Sequence, residues 1–281
     1  MSPAILSESQ AELRDVHESE RLAPYLRELW SRRAYIRYVA SSELRNRQIN
    51  TVLGNFWHFL NPALSITVYY IIFGLVLKVD RGVDNFILFL TVGLFVFQYT
   101  QRSTVAGAHS VVRNVGLMRA IKFPRALLPT TSTVTESLAA ATSFAIIYVV
   151  AILTGSPVRW QWLLLPLLFV VQFVFNLGAA FLAARATTHF RDTTQFLPFA
   201  FRLLFYASGV IFNVDAYVEN SSWSAIFVLN PLYCFVTIAR WLIMGGTLDG
   251  MLVLSTSIWA VLIIIIGFLW FRAGEDLYGR A

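Results

Sequence analysis

Six apolar runs, at 57–77, 86–107, 127–154, 161–184, 193–212 and 251–271, leave this chain few folds to choose from. Each is near the ~20 residues that a helix needs to cross the hydrocarbon core of a bilayer. Charged residues make up only 14% of the 281, and 57% are hydrophobic. Soluble domains carry about 25% charged residues, so the chain belongs in lipid. The expected fold is an all-α integral membrane protein with six transmembrane helices. A seventh apolar stretch, 228–244, is interrupted by Asn230-Pro231 and Arg240 and ends in Gly245-Gly246. It is too short and broken to span, and a re-entrant helical hairpin over 216–246, between the fifth and sixth spans, fits it better.

Charge sets the expected orientation. Eight basic residues precede the first run, five lie in 102–125, three in 185–202 and two in the tail, against four elsewhere (Lys78, Arg81, Arg159, Arg240). Arginine and lysine collect on the cytoplasmic side, which puts both termini and the 102–125 loop there, as an even number of spans requires. The first 30 residues contain no apolar stretch of the kind a cleavable signal needs. The division expected is a flexible extension over 1–24, an amphipathic helix over 25–50 and a membrane domain over 51–281. In the second of these, Arg32, Arg33, Arg37, Arg45 and Arg47 interleave with Tyr25, Trp30, Tyr35 and Tyr38. That pattern suits a helix lying among anionic headgroups. A helix packed on a partner is the alternative.

The loop between the second and third runs holds more than a connector needs. It reads Val-Arg-Asn-Val-Gly-Leu-Met-Arg-Ala-Ile-Lys-Phe-Pro-Arg from Val112 to Arg125. There is room for about two helical turns, with basic and apolar side chains available to contact another protein.

Energy for transport is missing from the chain itself. A Walker P-loop needs a lysine after glycine, and the only lysines, Lys78 and Lys122, follow Leu77 and Ile121. Ion-coupled carriers place carboxylates in their spans; here the spans hold one acid, Glu136, and one clear base, Arg202. Both lie about ten residues in from the cytoplasmic end, roughly 15 Å deep. An interhelical ion pair, a proton relay, or separate groups facing water are the options. His17, His58, His109 and His189 lack ligand spacing, and Cys234 is the lone cysteine, so neither a metal site nor an intrachain disulfide is expected. Aromatics inside the spans, Tyr69, Tyr70 and Phe73 in the first and Phe196, Phe199, Phe205 and Tyr206 in the fifth, either pack or line a path for sugars, whose C–H faces stack on rings.

Four stretches in order resemble one family. They are Thr51-Val52-Leu53-Gly54-Asn55-Phe56-Trp57 with Asn61-Pro62; Val112-Arg113-Asn114 through Leu117-Met118-Arg119 to Phe123-Pro124-Arg125 and Leu127-Leu128-Pro129; His189-Phe190-Arg191-Asp192 with Gln195-Phe196-Leu197-Pro198; and Leu229-Asn230-Pro231-Leu232. Together they resemble the membrane subunit of type-2 ABC exporters of O-antigen, teichoic acid and related polysaccharides. The resemblance implies a homodimer in the bacterial inner membrane, paired with a separate cytoplasmic ATPase that holds ATP and Mg, while this chain binds no cofactor and is no enzyme. It implies a coupling helix in 112–125, with Asn114, Leu117, Arg119, Lys122, Phe123, Pro124 and Arg125 as coupling residues. It implies a conduit lined by the first and fifth spans, and a polyprenyl-diphosphate-linked polysaccharide as substrate. Nearly all basic residues being arginine points, within that family, toward a mycobacterial-type galactan exporter. A type-2 drug or lipid exporter would share the six-span core without the Phe-Pro-Arg and Arg-Asp contexts. An ion-coupled carrier or a membrane glycosyltransferase would need carboxylate constellations that the sequence lacks.

Overall fold

The computed structural model describes residues 22–47, 56–78, 82–217, 227–275 and Tyr278. Most of the expected extension over 1–24, the first five residues of the 51–57 motif and part of the 216–246 segment lie outside these residues. Two short helices come first, α1 (Leu22–Ser31) and α2 (Arg33–Asn46), with Arg32 out of helical geometry at the joint. The expected amphipathic helix is thus two helices meeting at a bend. Ile36 and Ala40 are buried on α2, while Trp30, Tyr35 and Tyr38 stay exposed beside Arg33 and Arg37.

The bundle follows. Helix α3 (Trp57–Tyr69) holds Pro62 and runs on into a π-helical stretch over Tyr70–Val76. Helix α4 (Phe86–Val112) starts where the Asn85 side chain accepts from the Leu88 N–H at 3.1 Å, and it continues five residues past the expected span. Then come α5 (Val115–Ala120), α6 (Leu127–Leu153), a 3-10 turn (Trp160–Leu164) and α7 (Leu165–His189). Helices α8 (Thr193–Ala207), α9 (Val214–Tyr217), α10 (Pro231–Met244) and α11 (Gly250–Ala273) complete the order. The described residues are helical with no strand.

Three of these are long and apolar enough to cross a membrane: Leu127–Leu153, Trp160–His189 and Gly250–Ala273. Helix α4 has the length, at 27 residues, but from its middle onward it carries Gln98, Gln101, Arg102 and His109. Helix α8 is shorter than the expected 193–212. Its 15 residues rise about 22 Å, and it stops where Gly209 turns to φ 58°.

Helix α4 is the centre, packed by α6, α7 and α10, and α7 in turn lies along α11. The α7–α11 crossing is set by glycine: a Cβ on Gly178 would sit 2.5 Å from the Ile263 backbone, and one on Gly267 would overlap the Gly178 carbonyl. Close approach through glycine is how helices associate in lipid, where no hydrophobic driving force separates them from the solvent. On α6, Thr130, Thr131, Thr133 and Thr135 each donate to the carbonyl four residues back, so this polar stretch is satisfied within its own helix. Two apolar clusters result. The larger fills the bundle around Phe95, Phe97 and Phe235, and the smaller joins α1, α5, α7 and α11 around Tyr25, Met118, Phe181 and Phe271.

Candidate functional site

A polar cleft of about 1270 Å³ opens among α2, the start of α3, the second half of α4, α5 and the first half of α6. Arg47, Arg102, Arg113 and His109 line it together with Glu43 and Glu136. At its inner wall Arg47 donates to Glu136 at 2.7 Å, the arginine side chain being 39% exposed and the glutamate 7%. Burial alone would lower the Arg47 pKa, but the hydrogen bond and charge of Glu136 outweigh it and hold it raised. Glu43 adds a second, longer contact to Arg47 at 3.5 Å and accepts from the Thr135 hydroxyl at 3.3 Å. Of the options open for Glu136, the ion pair with Arg202 does not form: the carboxylate pairs with Arg47 instead. Helix α2 lies along α6 and delivers Arg47 to the carboxylate. Helix α8 packs through Phe201 and Phe205, which turns Arg202 outward, exposed and without an ion pair among the described residues.

The other expected interface arginines sit on the outer face of α1 and α2. Arg32 pairs with Glu28 at 2.6 Å, Arg33 lies 5.6 Å from the Trp30 ring centroid, Arg45 donates to the Ser41 carbonyl, and Arg37 is exposed. The arrangement is amphipathic: arginines with Trp30, Tyr35 and Tyr38 outward, Tyr25, Ile36 and Ala40 inward.

Residues 112–125 form a short platform. Asn114 donates to the Ser110 carbonyl at 2.7 Å and closes the end of α4. Met118 is buried, and Leu117 and Phe123 pack on the smaller cluster. Arg119, Ile121 and Lys122 face out, and Pro124 is buried at the bend into α6. Arg125 contributes its backbone: its N–H donates to Glu275 at 2.7 Å. Tyr25 donates to the same carboxylate oxygen at 2.6 Å. The sequence carried no signal for this contact, because Glu275 lies in the tail and Tyr25 stood out only as one aromatic among several.

Of the expected conduit aromatics, the structure gathers four at the seam of α3 and α8. Tyr69 stacks on Phe73 at 6.0 Å and meets Phe205 at 5.6 Å, and Tyr206 lies beside Phe205. Phe205 is buried against Phe97 and serves the core. Tyr70 is half-buried beside them, and Phe196 and Phe199 are exposed farther along α8.

At the opposite end lies a second cleft, about 820 Å³, beside Asp84, Arg159 and Trp241. Arg240, the charge that interrupts the 228–244 apolar stretch, is half-buried there and donates to the carbonyls of Phe89, Gly209 and Val210, the shortest at 2.7 Å. Its guanidinium lies 3.3 Å from the Phe89 ring centroid. A charge inside an otherwise apolar stretch was the available signal for such a tether.

A helical membrane bundle whose polar groups gather in open clefts, with a short basic platform at one end, has the make-up of a permease subunit. The chain belongs to the ABC-2 type transporter membrane family, whose pattern matches residues 35–244. It is similar to two proteins of Klebsiella pneumoniae called O-antigen export system permease protein RfbA. One is 29% identical over 75% of this chain and 80% of its own, the other 27% over 83% and 89%. A protein of the same name from Myxococcus xanthus is 28% identical over 75% of this chain and 81% of its own.

Proposed function

We propose that this chain is the membrane subunit of an ATP-driven exporter that moves lipid-linked polysaccharide from the cytoplasmic to the outer face of the inner membrane. The observation that carries this reading is the similarity to three O-antigen export permeases over three quarters or more of the chain. The cleft supports it physically. A lipid-linked glycan presents a diphosphate at the headgroup level, and arginines attract such anions there. Arg47, Arg102 and Arg113 border the cleft and the exposed arginines of α1 and α2 lead to it.

In this reading the chain spans the membrane six times with both termini cytoplasmic, and α10 belongs to a re-entrant segment gating the outer end. A separate cytoplasmic ATPase supplies the energy, because the chain has no lysine placed for a P-loop. Helix α5 docks on that ATPase through Arg119, Ile121 and Lys122. Two copies of the chain face each other through α3 and α8, whose outer sides expose Leu64, Val68, Ile72, Phe196, Phe199 and Tyr206. Rings on those faces then border a path for sugars. A drug or lipid exporter of the same class is the second reading.

Co-expression of the chain with its candidate ATPase tests the proposal. The two should co-purify, and in sealed vesicles ATP should drive a polyprenyl-diphosphate-linked glycan across. Export of hydrophobic drugs or plain lipid with no movement of the glycan would favour the second reading.

A further inference from the structure

The turn into α6 has a problem that its own helix does not solve. The N–H groups at a helix start have no intrahelical acceptor, and here Arg125 and Ala126 open the turn before α6 with no side-chain cap from the segment itself. Their acceptors come from the two ends of the chain. Glu275 accepts from the Arg125 N–H at 2.7 Å, and the Tyr25 hydroxyl accepts from the Ala126 N–H at 3.2 Å while donating to Glu275 at 2.6 Å. A carboxylate at this place is also favoured by the positive end of the helix dipole.

The surroundings make the contact rigid. Tyr25 is 4% exposed and packs edge-on to Phe268 of α11, with the Arg272 guanidinium 5.1 Å from its ring centroid. Beyond Glu275, Tyr278 is held as well: its hydroxyl donates to the Phe271 carbonyl at 2.6 Å. Met118 of α5 sits in the same apolar cluster. Burial pushes the Glu275 carboxyl up, and the hydrogen bonds from Tyr25 and Arg125 oppose that.

We infer that Tyr25 and Glu275 are positioning residues for energy coupling: they fasten the bend after α5 to α1 and α11, so that a displacement of α5 moves these helices together with α6. The inference rests on the reading of α5 as the docking element. It gives the bent α1–α2 pair a purpose. Helix α1 is tied to α6 at Ala126 through Tyr25, and α2 is tied to it again at Glu136 through Arg47. The two ties are ten residues apart, about 15 Å along α6. The pair therefore acts as a splint on the first half of α6, along the wall of the cleft, and a push on α5 reaches the cleft as a body movement of α1, α2 and α6.

The test uses the full chain assembled with its ATPase, as wild type and as Tyr25→Phe, Glu275→Ala and Glu275→Gln. Hydrogen exchange at the Arg125 and Ala126 amides needs no assumption about transport. It should rise about tenfold at Arg125 in Glu275→Ala and at Ala126 in Tyr25→Phe, the scale of one lost hydrogen bond. Glu275→Gln keeps an acceptor oxygen and should stay within about threefold of wild type. Glycan exported per ATP hydrolysed should fall at least about threefold in the first two variants with ATP hydrolysis retained, the signature of lost coupling rather than lost folding. Should Glu275→Ala fail to assemble, Tyr25→Phe alone decides. Unchanged exchange overturns the inference. So does an unchanged export-to-hydrolysis ratio where Arg119→Glu on the outward face of α5 lowers it, and the reading of α5 then stands. If Arg119→Glu is silent too, that reading falls and the inference with it.

Discussion

Neutralising the two partners of the Arg47–Glu136 pair separately should give unequal losses, with the arginine change the worse. The asymmetry follows from exposure: Glu136 is 7% exposed and Arg47 39%. In Glu136→Gln the freed guanidinium can swing to the cleft water and Glu43, so the loss is that of a partly exposed pair, about 1 kcal/mol or less. In Arg47→Gln the carboxylate is left on the buried wall of α6 with its strongest donor gone. An orphaned buried charge costs about 3–5 kcal/mol, and the open cleft brings this to the lower figure, about 3 kcal/mol. The double change removes the orphan and should return close to Glu136→Gln alone. Thermal unfolding in detergent, followed by tryptophan fluorescence, reads the difference. At about 2–4 °C per kcal/mol, Arg47→Gln should lower the midpoint by about 6–12 °C and Glu136→Gln by less than about 4 °C. Equal losses in the two single variants, or a double variant equal to their sum, would refute the reasoning.

Ile121→Ala and Arg119→Glu, both on the outward face, should reduce export by about tenfold or more while membrane insertion and dimerisation persist, a loss of about 1.4 kcal/mol in the productive contact; normal export from both would make α5 a mere connector. Gly178→Ala forces α7 off α11, and the clash with the Ile263 backbone should cost about 1–3 kcal/mol, read as a fall in the thermal midpoint; an unchanged midpoint would mean the crossing is not close. Arg240→Leu leaves the carbonyls of Phe89, Gly209 and Val210 without their donor and should cost about 2–4 kcal/mol. Arg240→Lys, which lacks the planar fork, should recover only part of that; full recovery would show that one charge suffices.

The helices themselves were legible because lipid imposes a length and a composition, and the apolar runs at 127–154, 161–184 and 251–271 reappear as α6, α7 and α11 to within a few residues. What periodicity could not carry was pairing across distance. The depth of Glu136 points to a partner at equal depth, Arg202, but the partner is chosen by how α2 lies along α6, and the amphipathic pattern before α3 does not say which helix that segment lies against. Arg202 follows Phe201, one of the two residues α8 buries, and one position of helix turns it outward. The stop of α8 at Ala207 is hidden in the sequence because apolar residues resume at Val210; Gly209, at φ 58°, turns the chain there, and Arg240 takes the carbonyls of Gly209 and Val210. Tyr25 and Glu275 are 250 residues apart in polar segments, and only the folded chain brings them to the same bend. The platform over 112–125 was visible as an excess of apolar and basic residues in a loop. Which of them face out, Arg119, Ile121 and Lys122, depended on the burial of Met118 and Pro124.

The central claim is tested most directly by depleting this chain in its native bacterium and assaying on which face of the inner membrane diphosphate-linked glycan lies. The account predicts that the lipid-linked polymer accumulates on the cytoplasmic face while its synthesis continues. An unchanged distribution after depletion would contradict it.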